Sequence, residues 1–330
     1  MKIGFIGLGR MGGNMVARLL RAGHEVVAFD RAPEAMRAPA SLGAQTATSP
    51  DSLVAELTPP RIVWVMLPAG APTFETIRRL AEKVSPGDVI VDGGNCNYKD
   101  ALHHAAMLKK LGIRFLDVGT SNGIWGNKEG YGMMVGGEPE TIELLRPVFE
   151  ALAPAPDRGW GRVGPNGAGH YIKTVHNGIE YGVLQALAEG FELMQHKPEF
   201  ELDVARVATI WQQGSVIRSW LLELIGQVLA ENPRLEGVTA YVEDNGTGRW
   251  AMEEALETGS PAPVISLALQ WRYRSRMQEP FGDKLLAVLR NRFGGHAIKA
   301  ERSERDALTE SNGPAANRGE ISTRGAEPSR

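Results

Sequence analysis

The segment Gly7-Leu8-Gly9-Arg10-Met11-Gly12 constrains this chain more than any other. It follows the apolar run Lys2–Ile6 and precedes a stretch in which Met15, Val16, Leu19 and Leu20 form one stripe of an amphipathic helix. Ala22-Gly23 marks the end of that helix. A strand, a glycine turn and a helix in this order present the free N–H groups of a helix N-terminus to an anion. The first glycine makes the tight turn, the second lets the backbone approach a pyrophosphate, and the third lets helix and strand pack closely. The spacing predicts dinucleotide binding by Gly7, Leu8, Gly9, Arg10, Met11 and Gly12.

Further apolar runs at 25–29, 62–66, 89–92 and 114–117, with a later addition at 131–135, alternate with helical patterns. That order predicts a parallel sheet with crossover helices. From about Gly164 onward the alternation gives way to helical patterns at 171–196, 204–225, 266–277 and 282–291. The expected fold is an α/β Rossmann-type N-terminal domain followed by an all-α C-terminal domain. Residues 1–164 make the dinucleotide-binding domain and 165–300 an all-helical substrate and dimerisation domain, with the Gly- and Pro-rich stretch 157–169 as linker. Residues 301–330 are rich in charge and poor in large apolar side chains, and read as a disordered tail.

Composition removes several function classes. Basic residues number 36 and acidic residues 39, a net charge of −3 without a basic block, so neither nucleic acid nor an anionic membrane is an expected partner. The single cysteine, Cys96, permits no internal disulfide. No secretory leader and no run of roughly 18 uncharged apolar residues is present, so a soluble cytoplasmic protein is expected. Glycine stands at 39 of 330 residues, without a collagen-like period. Many close backbone approaches follow.

Two positions bear on the cofactor and five on the chemistry. Asp30 ends the second apolar run, where a carboxylate accepts from ribose hydroxyls and repels a 2′-phosphate; this favours NAD, while Arg31 beside it leaves NADP open. Farther along, Lys173, His176, Asn177, Glu180 and Tyr181 fall within one helical face about 140° wide at roughly 100° per residue. Ile172, Val175, Ile179 and Val183 occupy the other side, which predicts apolar packing at the back of this helix. Gly178 and Gly182 interrupt it, and glycine inside a helix costs about 1 kcal/mol, so something must pass close by. His103-His104 reads as a solvated pair on a polar helix, Trp211, Trp220 and Trp250 as core or contact aromatics, and Cys96 is assigned no chemistry because no acid–base partner is evident near it in sequence.

These segments together resemble the 6-phosphogluconate dehydrogenases of the β-hydroxyacid dehydrogenase superfamily, above all their short, decarboxylating, NAD-preferring group. The resemblance runs through about residues 1–300 and is carried by residues 7–14, Asp92-Gly93-Gly94-Asn95, the loop 117–126, the Lys-x-x-His-Asn-x-x-Glu-Tyr pattern at 173–181, and Arg290-Asn291-Arg292-Phe293-Gly294-Gly295-His296. It implies oxidative decarboxylation of 6-phospho-D-gluconate to D-ribulose 5-phosphate with reduction of NAD. Lys173 matches the family's base and Glu180 its acid. Asn95, Ser121, Asn122, Gly123, His176 and Asn177 match positions that hold the sugar acid; Tyr181, Thr247 and Arg272 match those that hold its phosphate. Met11, Leu67, Pro68, Ala69 and Asn95 match positions around the cofactor. Arg290 and His296 match residues supplied by a neighbouring subunit, which implies a homodimer or homotetramer with a shared active site. No metal is implied, and no metal-ligand cluster is visible in the sequence.

Two departures concern substrate affinity: members usually carry glycine at the position of Asn122, and the longer ones a lysine at that of Asn245, which leaves Arg249 or Arg272 to carry more of the phosphate charge. Two other functions stay open: another β-hydroxyacid dehydrogenase, of the 3-hydroxyisobutyrate or tartronate-semialdehyde type, and a non-catalytic NAD-binding regulator. Glu180 discriminates the first, because decarboxylation needs an acid for C1 and simple oxidation does not.

Overall fold

The computed structural model describes residues 1–244, 246–294 and Ala297. Asn245, His296 and the 301–330 segment lie outside the described residues. The strands are β1 Lys2–Ile6, β2 Glu25–Phe29, β3 Gln45–Thr46, β4 Ile62–Val65, β5 Val89–Asp92, β6 Arg114–Ser121, β7 Gly132–Gly136 and β8 Trp160–Gly164. They form one sheet in the order β3-β2-β1-β4-β5-β6-β7-β8. The first six pair in parallel, β7 runs antiparallel to β6, and β8 runs parallel to β7.

Strands such as Ile62–Val65 and Val89–Asp92 are buried along their whole length, as a sheet covered on both faces requires. Side chains alternate between those faces. Ile3 and Phe5 join Met15, Val16 and Leu19 in one core, whereas Ile6 joins Val27, Leu53, Ile77 and Leu80 in the other. Strand order reverses at β1, which has β2 on one side and β4 on the other. A crevice opens beyond the carboxyl ends of strands at such a reversal, and ligands of open α/β sheets bind there.

After the sheet come the helices Ala168–Gln195, Val204–Gly214, Trp220–Glu231, Thr247–Thr258 and Pro263–Arg274. The first, with 28 residues, is about 42 Å long at roughly 1.5 Å per residue. The expected helix at 204–225 is two: Gly214 ends one, and Ser219 caps the next by accepting from the Leu222 N–H. The stretch read as a linker contains β8, whose half-exposed residues carry little apolar alternation. The helix Thr247–Thr258 has no counterpart among the expected elements; it starts at Gly246, whose φ of +93° suits glycine. Residues 1–276 pack as one compact unit. A second unit begins at Met277, and its described part is chiefly the helix Phe281–Gly294. Among the described residues no helix is long and apolar enough to cross a membrane.

Candidate active site

The glycine turn leaves β1 at Gly7 with φ of +95°, and a Cβ there would collide with the Met66 carbonyl oxygen. Gly12 is buried where a side chain would strike the Gly7 carbonyl, so helix and strand meet backbone to backbone. The helix Arg10–Arg21 begins with no side-chain cap and no acidic residue in its first turn. Its first N–H groups are thereby left for an anion. Asp30 is fixed by two backbone donors: the Leu8 N–H gives a 2.7 Å hydrogen bond to Oδ2, and the Ala32 N–H a 2.8 Å bond to Oδ1. A cavity of about 850 Å³ lies here, lined by Gly7, Gly9, Asp30, Arg31, Leu67 and Pro68. Arg10 is exposed, and Met11 and Ala69 are half-buried beside the turn and the cleft. Uncapped N–H groups, a turn closed to side chains and a carboxylate at the end of β2 fit a dinucleotide.

The long helix Ala168–Gln195 is set on the sheet by Asp117 of β6. Its Oδ1 accepts from the Gly167 N–H at 2.7 Å and its Oδ2 from the His170 N–H at 3.0 Å, which caps the helix from a neighbouring strand. Two glycines allow the close approach: a Cβ on Gly119 would come within 2.6 Å of the Lys173 Cβ, and one on Gly169 within 2.6 Å of the Met134 carbonyl. Lys173 is therefore buried, with 8 % of its surface exposed. Burial pushes its ammonium below the ordinary lysine value, and the Glu180 carboxylate opposes this only in part. Lys173 Nζ lies 3.4 Å from His176 Nδ1, and the same nitrogen lies 3.3 Å from Asn177 Oδ1 and 3.8 Å from Glu180 Oε2. An amine and a carboxylate thus stand on either side of one imidazole.

The polar side of this helix is enclosed, and the apolar packing expected at its back is not there. Lys173, Asn177 and Tyr181, on the polar stripe, are buried, whereas Ile172, Ile179 and Val183 are exposed. The cause is that β6 and β7, through their glycines, and the helices after Gly246 pack on the polar side. Tyr181 contacts Ala268 and Leu269, its hydroxyl donates to Asp244 Oδ1 at 3.4 Å, and the Arg272 guanidinium sits 3.5 Å from its ring centroid. Arg272 also donates to the Glu243 carbonyl at 3.1 Å. Thr247 is buried at the start of its helix, next to Gly248, which presses on the Tyr181 ring. Arg249 is paired with Asp244 at 3.1 Å.

Ser121 lies on the same face of β6 as Gly119, two residues on, and so on the side that meets Lys173. Asn122 has φ of +93° and donates through Nδ2 to the Gly130 carbonyl at 2.6 Å. Asparagine tolerates this left-handed conformation, which accounts for a position where the resembled family carries glycine. Gly123 and Asn95 are exposed. Arg290 is exposed on the helix Phe281–Gly294, in the second compact unit. No local signal singles out Asp117 and Gly119, whose partners are some fifty residues away; each stands in a motif, but only the fold assigns the contact. His104 is buried, not solvated, and lies 6.1 Å from Phe115, ring to ring; His103 is exposed.

Residues 2–161 match the NAD binding domain of 6-phosphogluconate dehydrogenase, and residues 169–310 match the 6-phosphogluconate dehydrogenase C-terminal domain. A Haloferax volcanii protein named 6-phosphogluconate dehydrogenase, NAD(+)-dependent, decarboxylating, is 43% identical over 299 residues, which cover 90% of this chain and 98% of that protein. Among solved structures, Plasmodium falciparum 6-phosphogluconate dehydrogenase superposes with a TM-score of 0.77 at 26% identity, over 94% of this chain and 69% of that one. Mycobacterium tuberculosis 3-hydroxyisobutyrate dehydrogenase gives 0.68 at 27% identity, over 83% of this chain and 92% of that one. Two family domains in tandem, and identity along nearly the whole length of a relative, place this chain in the 6-phosphogluconate dehydrogenase family.

Proposed function

We propose that this chain oxidises and decarboxylates 6-phospho-D-gluconate to D-ribulose 5-phosphate and CO2, with NAD as the preferred acceptor. One observation carries the reading: a buried Lys173 and a half-exposed Glu180 lie on one helix face, both against His176 Nδ1. When bound, the dinucleotide accepts the hydride from C3. Lys173, whose burial favours the neutral amine, takes the proton of the C3 hydroxyl. The same group returns that proton to the C3 oxygen as the bond to the carboxylate breaks and its electron pair forms the enediol. Glu180 then delivers a proton to the terminal carbon, which becomes C1 of the product, and Lys173 recovers the enediol proton. Asn95, Ser121, Asn122, Gly123, His176 and Asn177 hold the sugar acid in this scheme, and Tyr181, Thr247 and Arg272 its phosphate.

Incubation with 6-phosphogluconate and NAD is expected to yield NADH and CO2 at equal rates. NADH from 3-hydroxyisobutyrate, with none from 6-phosphogluconate, would overturn the assignment in favour of simple oxidation.

The reading extends to assembly and place. Ile172, Ile179 and Val183 form an exposed apolar stripe behind the reacting groups, which supports a homodimer or homotetramer in which a second copy covers the helix. Arg290 and His296 of one copy then complete the site of another. Mixing inactive Lys173→Met and Arg290→Ala variants under reassembly is expected to restore turnover, because one mixed site keeps both residues. No recovery on mixing removes the shared site. The sheet portion, residues 1–164, holds the dinucleotide and the helical portion, 165–300, the substrate, and the protein acts in the cytoplasm.

A further inference from the structure

The reaction scheme leaves one buried cluster unused. Asp92 at the end of β5, Cys96 in the loop that follows, and His170 at the start of the long helix bring one ligand atom each within 4.8 Å of one another, and all three are buried. Asp92 and His170 form an ion pair at 3.3 Å between Oδ2 and Nε2, and the Cys96 thiol points to Asp92 Oδ1 at 3.7 Å. The hydrogen bonding is incomplete. Among the described residues, His170 Nδ1 and both ring nitrogens of His104 have no hydrogen-bond partner, and Asp92 Oδ2 and His170 Nε2 have only each other. Leaving buried polar atoms unmatched is costly, so three unmatched imidazole nitrogens on His170 and the nearby His104 call for a ligand.

We propose that Asp92, Cys96 and His170, with His104 as fourth ligand, bind a thiophilic divalent cation of the zinc class. One carboxylate, one thiolate and two imidazoles are a donor set that zinc takes in tetrahedral geometry. Bonds of roughly 2.0–2.3 Å place tetrahedral ligand atoms about 3.3–3.8 Å apart; Asp92 Oδ2 and His170 Nε2 already stand 3.3 Å apart, and the thiol lies with the pair inside 4.8 Å. His104 and Cys96 line a common cavity of about 240 Å³, so the second imidazole and the thiol face one space. Glu75 and Asp100 line the same cavity and draw a cation in. The Cys96 thiol proton and the His170 ring proton leave as the ion enters, so the charge held in the interior is unchanged. The ion would tie β5, the loop bearing Asn95, the helix Tyr98–Lys110 and the first turn of the long helix to one point, three residues before Lys173.

Cobalt(II) titrated into the full chain tests this directly. One equivalent is expected to produce the near-ultraviolet charge-transfer band of a cobalt–thiolate bond, and zinc is expected to displace it and raise the unfolding midpoint. Cys96→Ser, with the fold checked by circular dichroism, is expected to lose the band and the zinc-dependent midpoint shift. His104→Asn is expected to weaken cobalt binding about tenfold or more. Absence of the band in the unaltered chain, or its persistence in Cys96→Ser, overturns the site. Unchanged affinity in His104→Asn removes His104 from it.

Discussion

The cleft at the carboxyl ends of β1 and β4 and the polar stripe of the long helix use opposite materials. In the cleft the main chain is shaped to receive the proposed ligand: Gly7 and Gly12 admit no side chain, the first helical turn is uncapped, and Asp30 binds backbone N–H groups. On the long helix the side chains carry the proposed chemistry, and the main chain serves only to let them be buried, as Gly119 does for Lys173. Steric exclusion is all the first region requires. The second must also hold an amine in a place that disfavours its charge. Substitutions should therefore separate the two: at the glycine turn binding and folding fail together, and on the helix activity fails without loss of the fold.

Lys173→Met is the largest break in this contrast. Turnover is expected to fall about 10⁴-fold, with the dinucleotide dissociation constant unchanged. Stability should rise by about 1 kcal/mol, as when buried charge gives way to an apolar side chain. The sign follows from linkage. Burial lowers the Lys173 pKa in the folded chain, so the folded state holds fewer protons there than the unfolded one. Lys173 thus costs stability below its folded pKa, and the cost fades as pH rises towards the ordinary lysine value. Unfolding midpoints of the two proteins should differ most near neutral pH and converge in alkali. A constant difference would contradict a buried, proton-poor lysine.

The same contrast explains what could be read from the residues. The glycine turn is legible because its function is a local backbone shape, and backbone shapes are written in adjacent residues. The composition of the proposed catalytic stripe is legible for a related reason, since Lys173, His176, Asn177, Glu180 and Tyr181 share a helix. Its orientation is not. Periodicity predicts apolar packing around Ile179, yet the structure leaves Ile179 exposed and encloses Lys173, because β6 and the Thr247–Thr258 helix supply the polar side with its covering. Asp117 capping a helix fifty residues on, and Asp92 meeting His170, depend on sheet order and leave no local trace. The strand β8 escaped for want of apolar alternation.

Gly7→Val ranks next and tests the cleft. The side chain must enter a turn with φ of +95° and displace the Met66 carbonyl. Dinucleotide affinity is expected to fall about 10²-fold or more, with about 2 kcal/mol of stability lost with it. Loss of binding in a protein as stable as the parent would show that the turn is not the shared cause. Glu180→Gln follows, on the helix. Its carboxylate is half-exposed, so the fold should be indifferent. Turnover should drop about 10²-fold, the share of one proton-transfer group. Unaltered turnover would take Glu180 out of the acid's role.

The smallest effect is the sharpest test of the cleft, because it concerns one exposed guanidinium. Both Asp30 oxygens are engaged, by the Leu8 N–H at 2.7 Å and the Ala32 N–H at 2.8 Å, so the carboxylate cannot turn away from a ligand at the end of β2. A 2′-phosphate there meets a fixed negative charge. Arg31 is the neighbouring cation on the cleft wall, free to approach such a phosphate from solvent, where screening keeps the attraction small. Arg31→Ala is accordingly expected to lower kcat/KM with NADP about three- to tenfold, the equivalent of roughly 1 kcal/mol, and with NAD by less than about twofold. The loss with NADP should shrink as salt is raised, since the interaction is exposed. An equal fall with both cofactors would mean that Arg31 supports the cleft's shape and not its choice of ligand, and Asp30 alone would then carry the preference for NAD.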